Sequence, residues 1–217
     1  MNEASSPAAK TPVAVVEDSH TTRDALKTII ELEPDLECVV TCSTGEEALK
    51  LLPKFSPAIV LMDIQLPGMS GIDCVRRLRE TMPDVLIVMV TVYEDPVRIF
   101  SALRAGANGY LLKRSTPEEM ISAIREVRRG GGAMSGGVAL KVIQYFTEQE
   151  QQSKELDSLS RRESEVLELL SSGMGNKDIA ARLGVSTEAV RWHLRSIYTK
   201  LHVHNRTEAA MKYKGLQ

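Results

Sequence analysis

Ala58-Ile59-Val60-Leu61-Met62-Asp63 is the stretch on which the fold turns. It is too short for a helix, apolar on both alternating faces, and closed by a carboxylate. That pattern predicts a strand buried on both sides, as in a parallel sheet. Working outward, four further runs have the same character: residues 11–17 (TPVAVVE), 37–42 (ECVVTC), 85–91 (VLIVMVT) and 109–112 (GYLL). Between them lie amphipathic stretches at 22–32, 45–52, 71–81, 97–105 and 118–129, which read as helices. Thr44 with Glu47 and Thr116 with Glu119 have capping-box spacing, and Pro117 suits a first helical position. Five strand-helix alternations predict an α/β fold, a five-stranded doubly wound parallel sheet. Such a sheet carries its functional loops at the strands' carboxyl ends.

Gly130-Gly131-Gly132 breaks the alternation. A helix-like stretch follows at about 138–146. Residues 147–157 (TEQEQQSKELD) are polar, lack an apolar face and read as a linker. From Ser158 only helical patterns remain. Ser160 with Glu163 is a capping box ahead of Val166, Leu167 and Leu170. Asn176 is placed to cap a short helix carrying Ile179, Ala180 and Leu183. Gly184-Val185 makes a turn, Ser186 caps a longer helix to about Leu201, and Asn205 with Glu208 caps a last one. Two helices joined by a glycine-containing turn are a helix-turn-helix signature. The expected organisation is a disordered lead at 1–11, an α/β domain at 12–130, a linker with a helix at 131–157 and a small all-α domain at 158–217.

A chain of 217 residues with 43% apolar and 26% charged content suits two globular domains. No stretch has the length and hydrophobicity of a membrane span, and the first ten residues lack an apolar signal core, so a cytoplasmic protein is expected. Cys38, Cys42 and Cys74 have no nearby histidine and read as reduced thiols in or near the core. Residues 157–217 hold 10 Lys and Arg against 7 Asp and Glu, whereas residues 1–156 hold 17 against 22. A polyanion would therefore meet the back half.

The strand ends supply chemistry. Glu17 and Asp18 follow the first strand, Asp63 closes the third, Thr91 the fourth, and the fifth leads to Lys113. Carboxylates gathered at one sheet edge repel unless a cation joins them, and an all-oxygen set suits Mg²⁺. A carboxylate beside Mg²⁺ and a lysine can attack a phosphoryl group, because both cations offset charge on the transferred oxygens. One such carboxylate would read as a helix cap or a solvated side chain; five such residues, gathered at four strand ends, favour a site.

These residues resemble the receiver domain of bacterial response regulators over about residues 12–130. The matching stretches are Val15-Val16-Glu17-Asp18, Leu61-Met62-Asp63 through Gly71, Thr91, and Gly106-Ala107-Asn108-Gly109-Tyr110-Leu111-Leu112-Lys113. The resemblance implies a flavodoxin-like fold and makes Asp63 the phosphoacceptor. It also implies that Asp18, Asp63 and the Gln65 main-chain carbonyl bind Mg²⁺, with Glu17 acting through water. Lys113 would hold the phosphoryl group, Thr91 would move onto it, and Tyr110 would rotate inward behind. Two departures stand out. Val92 replaces a smaller residue beside Thr91, which puts the lifetime of the acyl phosphate in question. Ser19-His20 replaces a His-Pro pair, and His20 reads as a solvated loop residue.

On a helix from Ser186 to Leu201, Val190, Leu194, Ile197 and Leu201 form a buried stripe, and Arg191, Trp192, Arg195 and Thr199 fall away from it. Arginine can chelate guanine edges, and a large ring can contact thymine methyls. For Trp192 the alternative of packing on a neighbouring helix stays open. Residues 158–213 resemble the LuxR-type helix-turn-helix of the NarL/FixJ class, through Leu159-Ser160-Arg161-Arg162-Glu163, Asn176-Lys177-Asp178-Ile179-Ala180, Val190, His193-Leu194 and Asn205-Arg206-Thr207-Glu208-Ala209, among others. The resemblance implies that Arg191, Trp192 and Arg195 face bases, and that Lys177, Ser186, Thr187, Lys200 and Arg206 anchor phosphates. It places a dimer face near Met211 and Tyr213, although an apolar helix face also serves as core. His193 is expected to pack and hydrogen-bond.

The function this implies is a non-enzymatic transcriptional regulator. A histidine kinase or a small phosphodonor would phosphorylate Asp63, and a homodimer would then bind double-stranded DNA. Two rivals remain: an aspartate-nucleophile phosphohydrolase, which wants an acid where Gln65 stands, and a DNA-binding protein with a vestigial receiver.

Overall fold

The structure, a computed structural model, describes residues 9–215. Most of the lead expected at 1–11 therefore lies outside the described residues. Thr11, its last member, instead opens the first strand and is buried, with its hydroxyl accepting from Arg128 at 2.7 Å. The chain divides into two compact units at Ile143/Gln144.

The first unit is one parallel sheet in the order β2-β1-β3-β4-β5-β6: β1 (Thr11–Val16), β2 (Leu36–Cys42), β3 (Ile59–Met62), β4 (Leu86–Thr91), β5 (Gly109–Leu112) and β6 (Ala133–Met134). The sixth strand corrects the expectation of five. Its two residues pair with Gly109 and Tyr110, a pattern too short to show as periodicity. Only a glycine admits this approach, since a Cβ on Gly109 would lie 2.8 Å from the Ala133 carbonyl oxygen. The period-two alternation sorts strand residues to two faces. Ala14, Val16, Val60 and Met62 join a core under α2 (Gly45–Phe55), α3 (Gly71–Thr81) and α4 (Pro96–Ala105). Val13, Val15, Ile59 and Leu61 join another under α1 (His20–Glu31) and α5 (Pro117–Arg128). This is the doubly wound arrangement that places loops at the carboxyl edge.

Several local expectations are refined. Helix α1 starts at His20, not Thr22, because the Ser19 hydroxyl accepts from Thr22 N at 3.4 Å. His20 is thus helical rather than a loop residue, but it is solvated and lies 3.0 Å from Asp24. Thr116 and Glu119 form both halves of their capping box. Thr44 caps α2, but the Glu47 carboxylate turns to Ser43 N at 2.7 Å, so that box is only half made. Cys42 and Cys74 are buried, and burial pushes both thiols up to about 12, away from reactivity.

Helix α6 (Gly136–Asp157) runs straight through the residues read as linker. It needs no apolar face there, because Glu, Gln and Lys favour helix and Lys154 pairs with Glu150 one turn earlier at 2.7 Å. In the second unit α7 (Arg161–Ser171), α8 (Asn176–Leu183), α9 (Thr187–Lys200) and α10 (Arg206–Tyr213) enclose a core containing Val166, Leu170, Ile179, Val190, Ile197 and Ala209. Gly184 at φ +66° closes α8, and Ser186 caps α9 by accepting from Ala189 N at 3.1 Å. The cap of α8 is Gly175 rather than Asn176, whose backbone is already helical.

Candidate functional site

Two loci carry the chemistry, one in each unit. The first forms where β1, β3, β4 and β5 end together. Asp63 follows the last residue of β3, and its amide donates to Val16 O at 2.9 Å, which sets it beside Glu17. Lys113 is joined to the end of β4 by its own amide, 2.8 Å from Thr91 O. One carboxylate oxygen from each of Glu17, Asp18 and Asp63 lies within 4.8 Å of the others. Lys113 Nζ donates to Asp63 Oδ2 and Glu17 Oε1, each at 2.9 Å, and lies 2.6 Å from Glu17 Oε2. Asp63 Oδ1 accepts from Ile64 N at 2.7 Å. Glu17 and Asp63 are buried at 1% and 4% exposure, whereas Asp18 is exposed, so the carboxylates run from a floor to an open rim.

The electrostatics are unbalanced. The three clustered carboxylates share one ammonium, which contacts Glu17 and Asp63, so negative charge is in excess. Burial pushes the Glu17 carboxyl above the usual carboxylate range, with the Lys113 hydrogen bond opposing it. For Lys113, burial acts to lower the ammonium, but hydrogen bonds to Asp63 and Glu17 prevail and hold it above its ordinary value. An all-oxygen donor set with this deficit fits a hard divalent cation.

Around the cluster sit residues that hold it. A Cβ on Gly71 would lie 1.8 Å from Asp63 O, so only glycine lets α3 begin against this loop. Arg23 Nη1 donates to Glu17 O at 2.7 Å and pins the acidic turn. Thr91 Oγ1 is buried with no hydrogen-bond partner among the described residues. Tyr110 is fully buried, its ring already turned inward, and its hydroxyl donates to Tyr93 O at 2.9 Å. Tyr93 donates to Gln65 Oε1 and lies under the Arg98 guanidinium, 3.7 Å from its ring centre. Sequence reading missed Tyr93, Arg98 and Arg23; the only signal was an aromatic two residues beyond Thr91. Val92 is 64% exposed.

The second locus is one face of α9. Glu188, Arg191, Trp192, Arg195 and Thr199 are exposed, while Val190, Leu194 and Ile197 are buried opposite them. Trp192 is 64% exposed, with its ring edge-to-face against His193 of the same helix at 5.0 Å between ring centres; that exposure disfavours the alternative that it packs on a neighbouring helix. His193 packs, and its buried Nδ1 has no hydrogen-bond partner among the described residues, although the side chain was expected to hydrogen-bond. Lys177 and Ser186 are exposed and Thr187 half-buried. Lys200 and Arg206 are engaged within the unit instead. Lys200 Nζ lies 2.7 Å from the buried Glu163, and Arg206 donates to Asn176 Oδ1 at 3.0 Å and to Met174 O. Met211 and Tyr213 are 40% and 38% exposed, too open for plain core. Among the described residues no helix is long and apolar enough to cross a membrane.

Residues 13–125 match the family described as response regulator receiver domain, and residues 157–213 match bacterial regulatory proteins of the luxR family. The transcriptional regulatory protein DegU of Brevibacillus brevis is 32% identical, over 94% of this chain and 92% of its own. LiaR of Bacillus subtilis is also 32% identical, over 92% and 94%. A two-component response regulator of the LuxR family from Aurantimonas superposes with a TM-score of 0.62 at 29% identity, over 64% of this chain and 99% of its own. The phosphohydrolase reading falls with these matches, since neither family is enzymatic. With each half matched and relatives aligned over nearly their whole length, the chain belongs to the two-component response regulators that join a receiver domain to a luxR-type helix-turn-helix, and is a DNA-binding transcriptional regulator.

Proposed function

We propose that Asp63 is the phosphoacceptor, and that its modification controls how the helix-turn-helix unit engages DNA. The observation that carries this is the buried Glu17–Lys113–Asp63 ion cluster with Asp18 at its rim. An Asp63 carboxylate oxygen attacks phosphorus, and the bond to the donor's imidazole or carboxylate oxygen breaks as that group leaves. The donor is a histidine kinase or a small acyl phosphate. Asp18, Asp63 and the Gln65 main-chain carbonyl would hold Mg²⁺, with Glu17 acting through water; when bound, it would offset charge on the transferred oxygens. Lys113 then exchanges its contact with Asp63 Oδ2 for a phosphoryl oxygen. The unpartnered hydroxyl of Thr91 supplies a second donor to it. Movement of Thr91 reaches Tyr110 through the β4–α4 loop, since the Tyr110 hydroxyl already bonds Tyr93 O in that loop.

In the second unit, Arg191, Trp192 and Arg195 face the bases of the major groove. Lys177, Ser186 and Thr187 meet phosphates, partly through helix N-terminal amides. The resemblance implies phosphate anchoring by Lys200 and Arg206 too; their internal bonds favour a role in shaping the unit. The active species is a homodimer in the cytoplasm, with Met211 and Tyr213 near its contact, because one such small module offers only a modest DNA interface. The sequence reading of a receiver at 12–130 and a DNA-binding domain at 158–217 is kept as the functional division, with Thr11 and β6 (Ala133–Met134) added to the sheet of the first. Operator affinity measured with and without beryllofluoride, a phosphoryl mimic, tests this: tighter binding with the mimic supports control through Asp63. Equal affinity favours a vestigial receiver.

A further inference from the structure

The exposed face of α9 carries one anion among its cations. Glu188 lies in the first turn, on the same side as Arg191, Trp192 and Arg195. Its Oε1 accepts a hydrogen bond from Arg191 Nη1 at 3.0 Å, although the two side chains are 79% and 60% exposed. In water such a pair contributes little to stability. An acidic residue here complements the helix dipole, but that end of the helix is also the one that would meet DNA. A carboxylate there repels phosphates and weakens any complex held by backbone contacts alone. A helix selected only to grip the backbone would be better without it.

We propose that Glu188 is a specificity-determining residue of the DNA interface: its carboxylate aligns Arg191 on a guanine edge and accepts from the exocyclic amine of a nearby cytosine. This rests on the reading of α9 as the helix that enters the groove. Arg191 engages Oε1, and Oε2 makes no hydrogen bond among the described residues, so the carboxylate keeps acceptor capacity for a base. Guanine and thymine present acceptors in the major groove and would repel it. Adenine sets its N7 acceptor beside its amine, whereas cytosine offers a donor amine alone. The pairing also costs Arg191 part of its attraction for phosphate, which shifts its contribution from non-specific to specific binding.

The test is selection of bound sequences from random double-stranded DNA by the full chain with beryllofluoride, comparing wild type, Glu188→Gln, Glu188→Ala and Arg195→Ala. One cytosine preference in the wild-type motif should vanish in Glu188→Ala and move toward adenine in Glu188→Gln. The ratio of specific to non-specific affinity should fall at least about fivefold in both, with non-specific binding tightened. Thermal midpoints near wild type separate this from unfolding. An unchanged motif and ratio in both Glu188 variants, with Arg195→Ala losing binding, overturns the assignment to Glu188 alone. If Arg195→Ala also leaves motif and affinity intact, the placement of α9 in the groove falls, and the proposal with it.

Discussion

Replacing Lys113 by alanine removes the one ammonium in contact with the carboxylates of Glu17 and Asp63, both of which are almost fully buried. Removing one partner of a buried ion pair costs about 3–5 kcal/mol. Lys113 itself is 19% exposed and Asp18 is open to solvent, so water can enter the gap, and about 2–3 kcal/mol is the appropriate share. For a unit of this size that lowers the urea midpoint by about 1 M. The pH dependence has a definite sign. The Glu17 carboxyl is raised on folding, mainly by burial. Its contribution is therefore complete below the unfolded value of 4.5 and is lost as pH rises through the folded value. Losing Lys113 removes the group that opposed this rise, so the variant's deficit should widen between about pH 5 and neutrality. Magnesium should narrow it by restoring positive charge. Urea unfolding followed by circular dichroism, across pH and with or without magnesium, reads all three effects. A variant with the wild-type midpoint at both pH values would refute the electrostatic reasoning.

Three further outcomes are expected. Burial pushes the Glu163 carboxyl up, but hydrogen bonds from Lys200, Ser196 and Ser160 hold it down at about 2. The resulting stability, about 3 kcal/mol for the second unit, is present above the unfolded value and lost as pH falls through the folded one. Glu163→Ala should remove it at neutral pH, and a melting curve matching wild type would contradict that. Gly71→Ala forces a Cβ against Asp63 O and should cost about 1–3 kcal/mol while slowing label uptake from acetyl phosphate. Uptake at the wild-type rate would show that the loop yields freely. Arg195→Ala should lose about 1–3 kcal/mol of operator affinity at fixed salt, measured by fluorescence anisotropy, with little change in binding to unrelated DNA.

Much of this was legible because it rests on short-range physics. Alternation of period two sorted the strand residues to two faces, and strand ends carrying Glu17, Asp63 and Lys113 converge in any open parallel sheet. The stripe of Val190, Leu194 and Ile197 likewise fixed which face of α9 is exposed. What escaped depends on tertiary geometry. A two-residue strand has no period to detect, and β6 exists because Gly109 lets a neighbouring backbone approach. Polar residues 147–157 gave no amphipathic signal, yet propensity and side-chain pairs one turn apart sustain the helix. The contacts of Tyr93 with Gln65 and Arg98 join three segments that no local pattern relates. Lys200 looked like a surface cation until the fold brought Glu163 beneath it.

The most direct test incubates the full chain with magnesium and labelled acetyl phosphate, then measures covalent label on wild type and Asp63→Asn. One acid-stable, base-labile phosphoryl group on the wild type and none on the variant is the expected result. Equal labelling of the two would contradict the assignment of Asp63 as the acceptor.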